Sequence, residues 1–244
     1  MKDQIALLGD MVSDPSATAS GFTENFKRVF DLVFASIAIF LLSPVLLLAG
    51  LMIKLESRGP AFYSQERIGI NRRRQERRNS ARTGMENRRQ TGERRKNIHA
   101  GKPFKIYKLR TMRQNAESNV PLLAQKNDPR ITRVGNFMRK TRIDEIPQFI
   151  NVIKGDMSII GPRPERSFFI NQIKQEVPEF TLRLRVKPGI TGLAQVEDGY
   201  TQTLDMMKKK LFYDLKYIAQ FSIFHEFRIL FKTVMVVFTG KGAC

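Results

Sequence analysis

The sequence predicts an α+β chain, mainly helical, whose N-terminal part is embedded in a membrane, and three observations carry that reading. The first is an apolar run of 25 residues from Val29 to Ile53, which meets the roughly 20-residue requirement for a membrane segment. The second is a pair of short stretches, Ala61–Gln65 and Phe104–Met112, with the residue types and alternation of half-buried strands. The third is the stretch from Phe221 to Phe238, which mixes Phe, Ile, Leu and Val with Arg228 and Lys232, as an amphipathic helix at an interface would. That last stretch serves equally well to cover the core or to meet a partner in a homodimer.

The chain has 244 residues and a formal net charge of +19, so it requires an anionic partner: nucleic acid, anionic membrane lipid, or a substrate carrying several phosphates. Its single cysteine, Cys244, is the last residue, which excludes an internal disulfide and a cysteine zinc site. His99 and His225 lie far apart in sequence and read as ordinary histidines rather than a metal pair.

Residues 1–25 carry acidic and small polar residues and lack the pattern of a signal peptide, so a mobile leader is expected there. Lys27 and Arg28 precede the apolar run, and Lys54 and Arg58 follow it. Ser43-Pro44 sits near its middle, where proline removes a backbone donor and crowds the carbonyl of Phe40. A bend there leaves arms on the order of 15 to 22 Å long, short of the roughly 30 Å hydrocarbon core. Cations at both ends suit a segment that enters and leaves on the same side. A proline-kinked spanning helix remains the alternative at this point. Asp31, one turn after Lys27 and Arg28, is expected to pair with them or to cap the other arm.

Gly59-Pro60 closes the membrane segment. Residues 71–100 hold ten arginines and Lys96 against Glu76, Glu86 and Glu93, a net of +8, with almost no large apolar groups. No packed core forms from such a composition. The block reads as a solvated insertion, an anchor on anionic lipid, or an arginine site for a phosphate-rich effector such as a cyclic dinucleotide. The strand at 104–112 then presents Lys105, Lys108 and Arg110 as candidate phosphate-binding cations.

Residues 139–164 carry the adjacent acids Asp144 and Glu145 after Arg139, Lys140 and Arg142. Cations nearby are expected to keep both acids ionised with lowered pKa, fit to act as a nucleophile or a magnesium ligand. Pro147 suits the first turn of a helix, which places the acids near a helix N-terminus; a simple capping role is the plainer alternative. Neighbouring side chains on a helix diverge by about 100°, so the two acids are expected to divide their labour. Gly155-Asp156 and Gly161-Pro162-Arg163-Pro164 form two turns, the second projecting Arg163.

Taken together, KRVFD (27–31), the Ser-Pro membrane run, QERIG (65–69), FKIYKLRTM (104–112), TRIDEIPQFINVIKGDMSIIGPRPE (141–165) and VKPGITGLAQV (186–196) resemble the bacterial sugar transferase family, the monotopic polyprenyl-phosphate phosphoglycosyl transferases. The tail from Tyr213 resembles the exopolysaccharide-initiating members; the four-helix N-terminal region of those members is expected to be absent. The resemblance implies a monotopic membrane protein of the bacterial inner membrane, with an N-terminal re-entrant helix-break-helix (26–58). It further implies a small cytoplasmic catalytic domain (59–205, interrupted by the 71–100 insertion) and a C-terminal interfacial extension (206–244). It also implies that Asp144 attacks the β-phosphorus of a UDP-sugar and contacts Mg2+, that Glu145 assists, and that Arg139, Arg163 and the 105–110 cations hold phosphate. Polyprenyl phosphate would then take the phosphosugar. The turn-rich Pro188–Gly192 stretch is suited to close over the nucleotide, with no individual chemistry assigned to it. The insertion and Cys244, which stands where the family usually has an aromatic, depart from the family pattern without touching that chemistry. A membrane-tethered nucleic-acid-binding protein is the disfavoured rival, resting on charge alone.

Overall fold

The structure, a computed structural model, describes residues 2–13, 21–71, 101–113, 128–197 and 204–239. The basic insertion, Asn71 apart, and Cys244 lie outside them. Helix α1 spans Lys2–Ser13. It follows the apolar spacing Ile5, Leu8, Val12, and buries Ile5 and Val12 in the main core. A fully buried aliphatic side chain contributes about 1.5–3 kcal/mol. Residues 2–13 are therefore a packed helix and not the mobile leader that their polarity suggested.

Helix α2, Gly21–Glu56, runs without interruption through Pro44. The two arms read from the sequence are thus not separated by non-helical chain. The reason lies one residue earlier: Ser43 Oγ donates to the Phe40 carbonyl oxygen at 2.8 Å, the acceptor that Pro44 leaves without its helical partner. The segment Thr23–Glu56 is long and apolar enough to cross a membrane, and only 11% of its most apolar window is buried. A core helix of such composition would be covered. Its few inward residues are small or well spaced, with Ala35 in the main core and Ala49 and Ile53 in a second cluster with Ala61, Leu109 and Met138.

Strands β1 (Phe62–Ile68) and β2 (Pro103–Leu109) form an antiparallel pair in which Glu66 faces Lys105. Helix α3 (Arg133–Thr141) starts at the N-cap Thr132, whose side chain accepts from the Gly135 N–H. A 3₁₀ turn, Ile143–Glu145, and helix α4 (Gln148–Lys154) follow. Strand β3 (Ser158–Ile160) pairs in parallel with β4 (Gly189–Thr191), Ser158 opposite Gly189. A Cβ on Gly161 would lie 2.4 Å from the Lys187 carbonyl oxygen, so the chains approach this closely only with glycine there. Pro188–Gly192 thus holds strand β4 and its flanks.

Between β3 and β4 lie α5 (Ser167–Glu176) and a 3₁₀ segment, Pro178–Arg185; after β4 come α6 (Leu193–Glu197), α7 (Leu204–Ala219) and α8 (Ile223–Thr239). Helix α8 buries Ile229 and leaves Phe224 90% exposed, with Phe227, Phe231, Val234 and Met235 also outward. Phe227 meets Phe30 of α2 edge to face at 5.8 Å, so the outward apolar faces of α2 and α8 adjoin. The described residues are mainly helical, with two small sheets and one long apolar N-terminal helix among them, an architecture compatible with a monotopic membrane protein.

Candidate active site

The acids sit where the chain turns from α3 into α4. Arg142 closes α3 in the left-handed region, φ 60°, a conformation costly for a side chain with a Cβ. Its carbonyl oxygen accepts from the Glu145 N–H at 3.1 Å, which folds Asp144 and Glu145 inward at 7% and 8% exposure. Pro147 occupies the N-cap of α4. The acids thus precede a helix start, as the sequence suggested.

The two carboxylates are treated differently, as divergent neighbours should be. Glu145 accepts from Lys108 Nζ at 2.9 Å and from Arg163 through both guanidinium nitrogens, Nη1 lying 3.2 Å from Oε2. Burial would raise its pKa, but the charges and hydrogen bonds of Arg163 and Lys108 outweigh burial and hold the Glu145 carboxyl well below the usual range. Glu145 in turn raises the pKa of Arg163.

Asp144 Oδ1 is buried and has no hydrogen-bond partner among the described residues. Burial, followed by the charge of Glu145, raises the Asp144 pKa to about 6, against the opposing pull of Lys108, Arg139 and Arg163. The expectation that both acids have lowered pKa holds for Glu145 and fails for Asp144. Their shared cations are bonded to Glu145, and Asp144 keeps only their field at a distance.

Of the cations named from sequence, Lys108 and Arg163 contact the acidic pair. Arg139 donates to Thr111 Oγ1 at 2.9 Å and acts on Asp144 electrostatically. Lys105 is exposed; three residues from Lys108 along a strand, it points to the opposite face. Arg110 is buried, and its guanidinium donates to the Ser57 carbonyl and hydroxyl and to the Arg58 carbonyl at 2.8 to 3.0 Å. These bonds make it a fastening of the α2 terminus. Asp31 accepts from the Ile159 N–H at 3.1 Å, neither pairing with Lys27 and Arg28 nor capping another arm. Lys27 instead pairs with Glu226 of α8, and Arg28 donates to the Val152 and Ile153 carbonyls at 2.6 and 2.9 Å.

Sequence reading missed a second charged group, directly behind Arg163. Arg183 donates to the Arg163 carbonyl oxygen at 2.7 Å and pairs with Asp214 at 2.9 Å. Lys210 and Arg67 pair with Glu165 at 2.5 and 3.6 Å. Burial would raise the Glu165 pKa, yet Lys210, Arg183 and Arg67 together lower it to about 2. The signal lay in α7, where Lys210 and Asp214 fall on the same buried face as Leu211, Leu215 and Ile218.

Among the described residues no group of three or more metal-binding side chains is assembled. A magnesium ion commonly takes one or two carboxylates and completes its shell from substrate phosphates and water. The unpartnered Asp144 Oδ1 fits that mode.

These features define a protein with one long lipid-compatible helix and a buried acidic pair set among cations. The chain belongs to the bacterial sugar transferase family, whose sequence model matches residues 22–97 and 85–240. It is 42% identical over 217 residues to the UDP-N-acetylgalactosamine-undecaprenyl-phosphate N-acetylgalactosaminephosphotransferase of Aeromonas hydrophila, covering 89% of this chain and 44% of that protein. It is 39% identical over 226 residues to the UDP-glucose:undecaprenyl-phosphate glucose-1-phosphate transferase of Escherichia coli K12, covering 92% of this chain and 42% of that one. It thus spans less than half the length of these two relatives. The exopolysaccharide production protein PSS of Rhizobium leguminosarum is 37% identical over 88% of this chain and 97% of its own length.

Proposed function

We propose that the protein transfers a phosphosugar from a UDP-sugar to polyprenyl (undecaprenyl) phosphate, releasing UMP, as a first membrane step in exopolysaccharide or related glycoconjugate synthesis. The observation that carries this reading is the asymmetry of the pair: Glu145 is fully engaged by Lys108 and Arg163, while Asp144 Oδ1 is buried and unengaged.

In the first half-reaction an Asp144 carboxylate oxygen attacks the β-phosphorus of the UDP-sugar. The bond from that phosphorus to the bridging oxygen breaks, and UMP leaves with the electron pair. In the second, a phosphate oxygen of polyprenyl phosphate attacks the same phosphorus and returns Asp144 to its carboxylate. Catalysis of phosphoryl transfer rests on positioning and on offsetting charge at the non-bridging oxygens. Arg139 and Arg163, whose charges act on Asp144, would supply that charge, and Arg163 would exchange part of its hold on Glu145 for phosphate. Asp144 Oδ1 would hold Mg2+, whose charge would further offset the diphosphate.

We read α2 as dipping into the inner membrane from the cytoplasmic face and returning. Cations flank both of its ends, and both ends bond to the same folded unit. The acids then face the headgroup level, where the acceptor's phosphate lies.

The test is a panel of UDP-sugars with Mg2+ and membrane-reconstituted protein, with and without polyprenyl phosphate. UMP release and a covalently labelled protein are expected, and both are expected to vanish in Asp144→Asn. Release of UDP, or label retained by that variant, overturns the reading.

A further inference from the structure

The acidic turn hangs between two helices whose outer ends are both fastened to α2. At one end, Arg28 bonds the last-turn carbonyls of α4, Val152 at 2.6 Å and Ile153 at 2.9 Å. At the other, Glu56 accepts from the first N–H groups of α3, Arg133 at 2.8 Å and Val134 at 3.0 Å. Arg110 fixes the same end of α2 through Ser57 and Arg58. Thr111, its neighbour, accepts from Arg139 Nε and receives the Thr132 N–H on its carbonyl. The charge signs suit the helix ends they meet: a cation on the C-terminal carbonyls of α4 and an anion on the N-terminal donors of α3.

The segment from Arg133 to Lys154 therefore begins at one end of α2 and finishes at the other, with Asp144 and Glu145 between. We propose that Arg28 and Glu56 are positioning residues for the acidic pair, acting through α3 and α4, so that the membrane helix sets where Asp144 lies against Arg139 and Arg163. The proposal rests on the phosphoglycosyl transfer reading for its kinetic consequence, though not for its structural one. Pro44 lies between the two fastenings and is the residue of α2 at which its halves most readily change angle. A shift there moves the outer ends of α3 and α4 relative to each other.

The experiment uses the full chain in vesicles of one lipid composition. It compares Arg28→Ala, Arg28→Lys, Glu56→Ala, Glu56→Gln and, as a control, Thr132→Ala. The control removes the side-chain cap of α3, the 2.9 Å bond from the Gly135 N–H, without touching α2. Displacement by about 1 Å can cost on the order of 100-fold in rate. UMP release in Arg28→Ala and Glu56→Ala should accordingly fall in kcat by about 10- to 100-fold, with KM for the UDP-sugar held within about twofold. Glu56→Gln and Arg28→Lys should recover part of the loss, because each keeps one hydrogen-bonding group. Thr132→Ala should lower thermal stability while leaving kcat near wild type.

Amide hydrogen exchange across residues 142–146 gives a readout that does not depend on turnover, and it should speed up in Arg28→Ala and Glu56→Ala only. Equal kcat losses in Thr132→Ala and Glu56→Ala would reduce the effect to helix stability and overturn the proposal. So would unchanged kcat and exchange in the two fastening variants. If wild type releases no UMP, the transfer reading fails, and the exchange result alone decides the proposal. Should Arg28→Ala fail to fold, Glu56→Ala and Arg28→Lys carry the same comparison.

Discussion

Arg183 holds the Arg163 carbonyl oxygen at 2.7 Å while pairing with Asp214 at 2.9 Å, and Arg183 and Asp214 are each only 2% exposed. The arginine that meets the acidic pair is thus supported from inside the protein by an ion pair that no substrate reaches. Removing Arg183 strands a buried carboxylate, a loss that typically costs about 3–5 kcal/mol. Arg183→Ala should lower the unfolding midpoint strongly in a fixed detergent. The double variant Arg183→Leu with Asp214→Leu should recover much of that loss, because both charges leave together. A double variant as unstable as the single one would show that packing, and not charge, dominates.

The raised Asp144 pKa of about 6 has consequences of opposite sign for rate and for stability. Attack requires the carboxylate, so the UMP-release rate should fall as pH drops through about 6. The folded state binds this proton more tightly than the unfolded chain does, so the stability linked to it is full below the ordinary aspartate pKa and is lost as pH rises through about 6. In metal-free protein, Asp144→Asn should therefore unfold at a higher temperature than wild type at pH 8 and lose that advantage by pH 4. Melting curves of both proteins at the two pH values check this.

Glu165 gives the reverse dependence. Its pKa is lowered to about 2, so the stability it contributes is present above the ordinary glutamate pKa and drains away as pH falls from there toward 2. Glu165→Gln should be less stable than wild type at neutral pH, since Lys210 and Arg67 lose their salt-bridge partner, and less sensitive to acid below pH 4. Denaturant titrations at several acidic pH values measure both.

Glu145→Gln keeps the side-chain shape and removes the charge that engages Arg163 and Lys108. Its turnover should fall by about 100-fold, the size of loss expected when Arg163 and Lys108 are displaced from their places by about 1 Å. A covalent label on Asp144 should still form, slowly, from UDP-sugar alone. Single-turnover UMP release separates that slow first step from the second.

The acidic pair, its turn ahead of a helix, and two of its cations were legible because they are local patterns: charge spacing, proline at a helix start, glycine at turns. Lys105 could have been set aside from strand alternation alone, since an odd offset from Lys108 reverses its face. Arg110 shares the parity of Lys108, and only the tertiary meeting of β2 with the end of α2 reveals that it is occupied elsewhere. Asp31 finds its partner, Ile159, 128 residues away, a distance that no local rule bridges. Helix α1 was misread because its polar residues hid a three-residue apolar stripe, Ile5, Leu8 and Val12, that suffices once α7 is there to receive it. The continuity of α2 through Pro44 depended on one hydroxyl, Ser43, whose capacity to fill the vacated carbonyl was open to a closer reading.

The inward residues of α2 carry a consequence for producing the protein without lipid. A fragment starting at residue 59 would lose Ala35 from the main core, Ala49 and Ile53 from the second cluster, and the carboxylate that Ile159 bonds. Such a fragment should misfold rather than dissolve. A water-soluble version is better sought by keeping α2 whole and recolouring its outward side, at Phe40, Leu41, Leu47 and Leu48, which are all well exposed. The long apolar helix is the keel of the molecule as well as the mooring proposed for it.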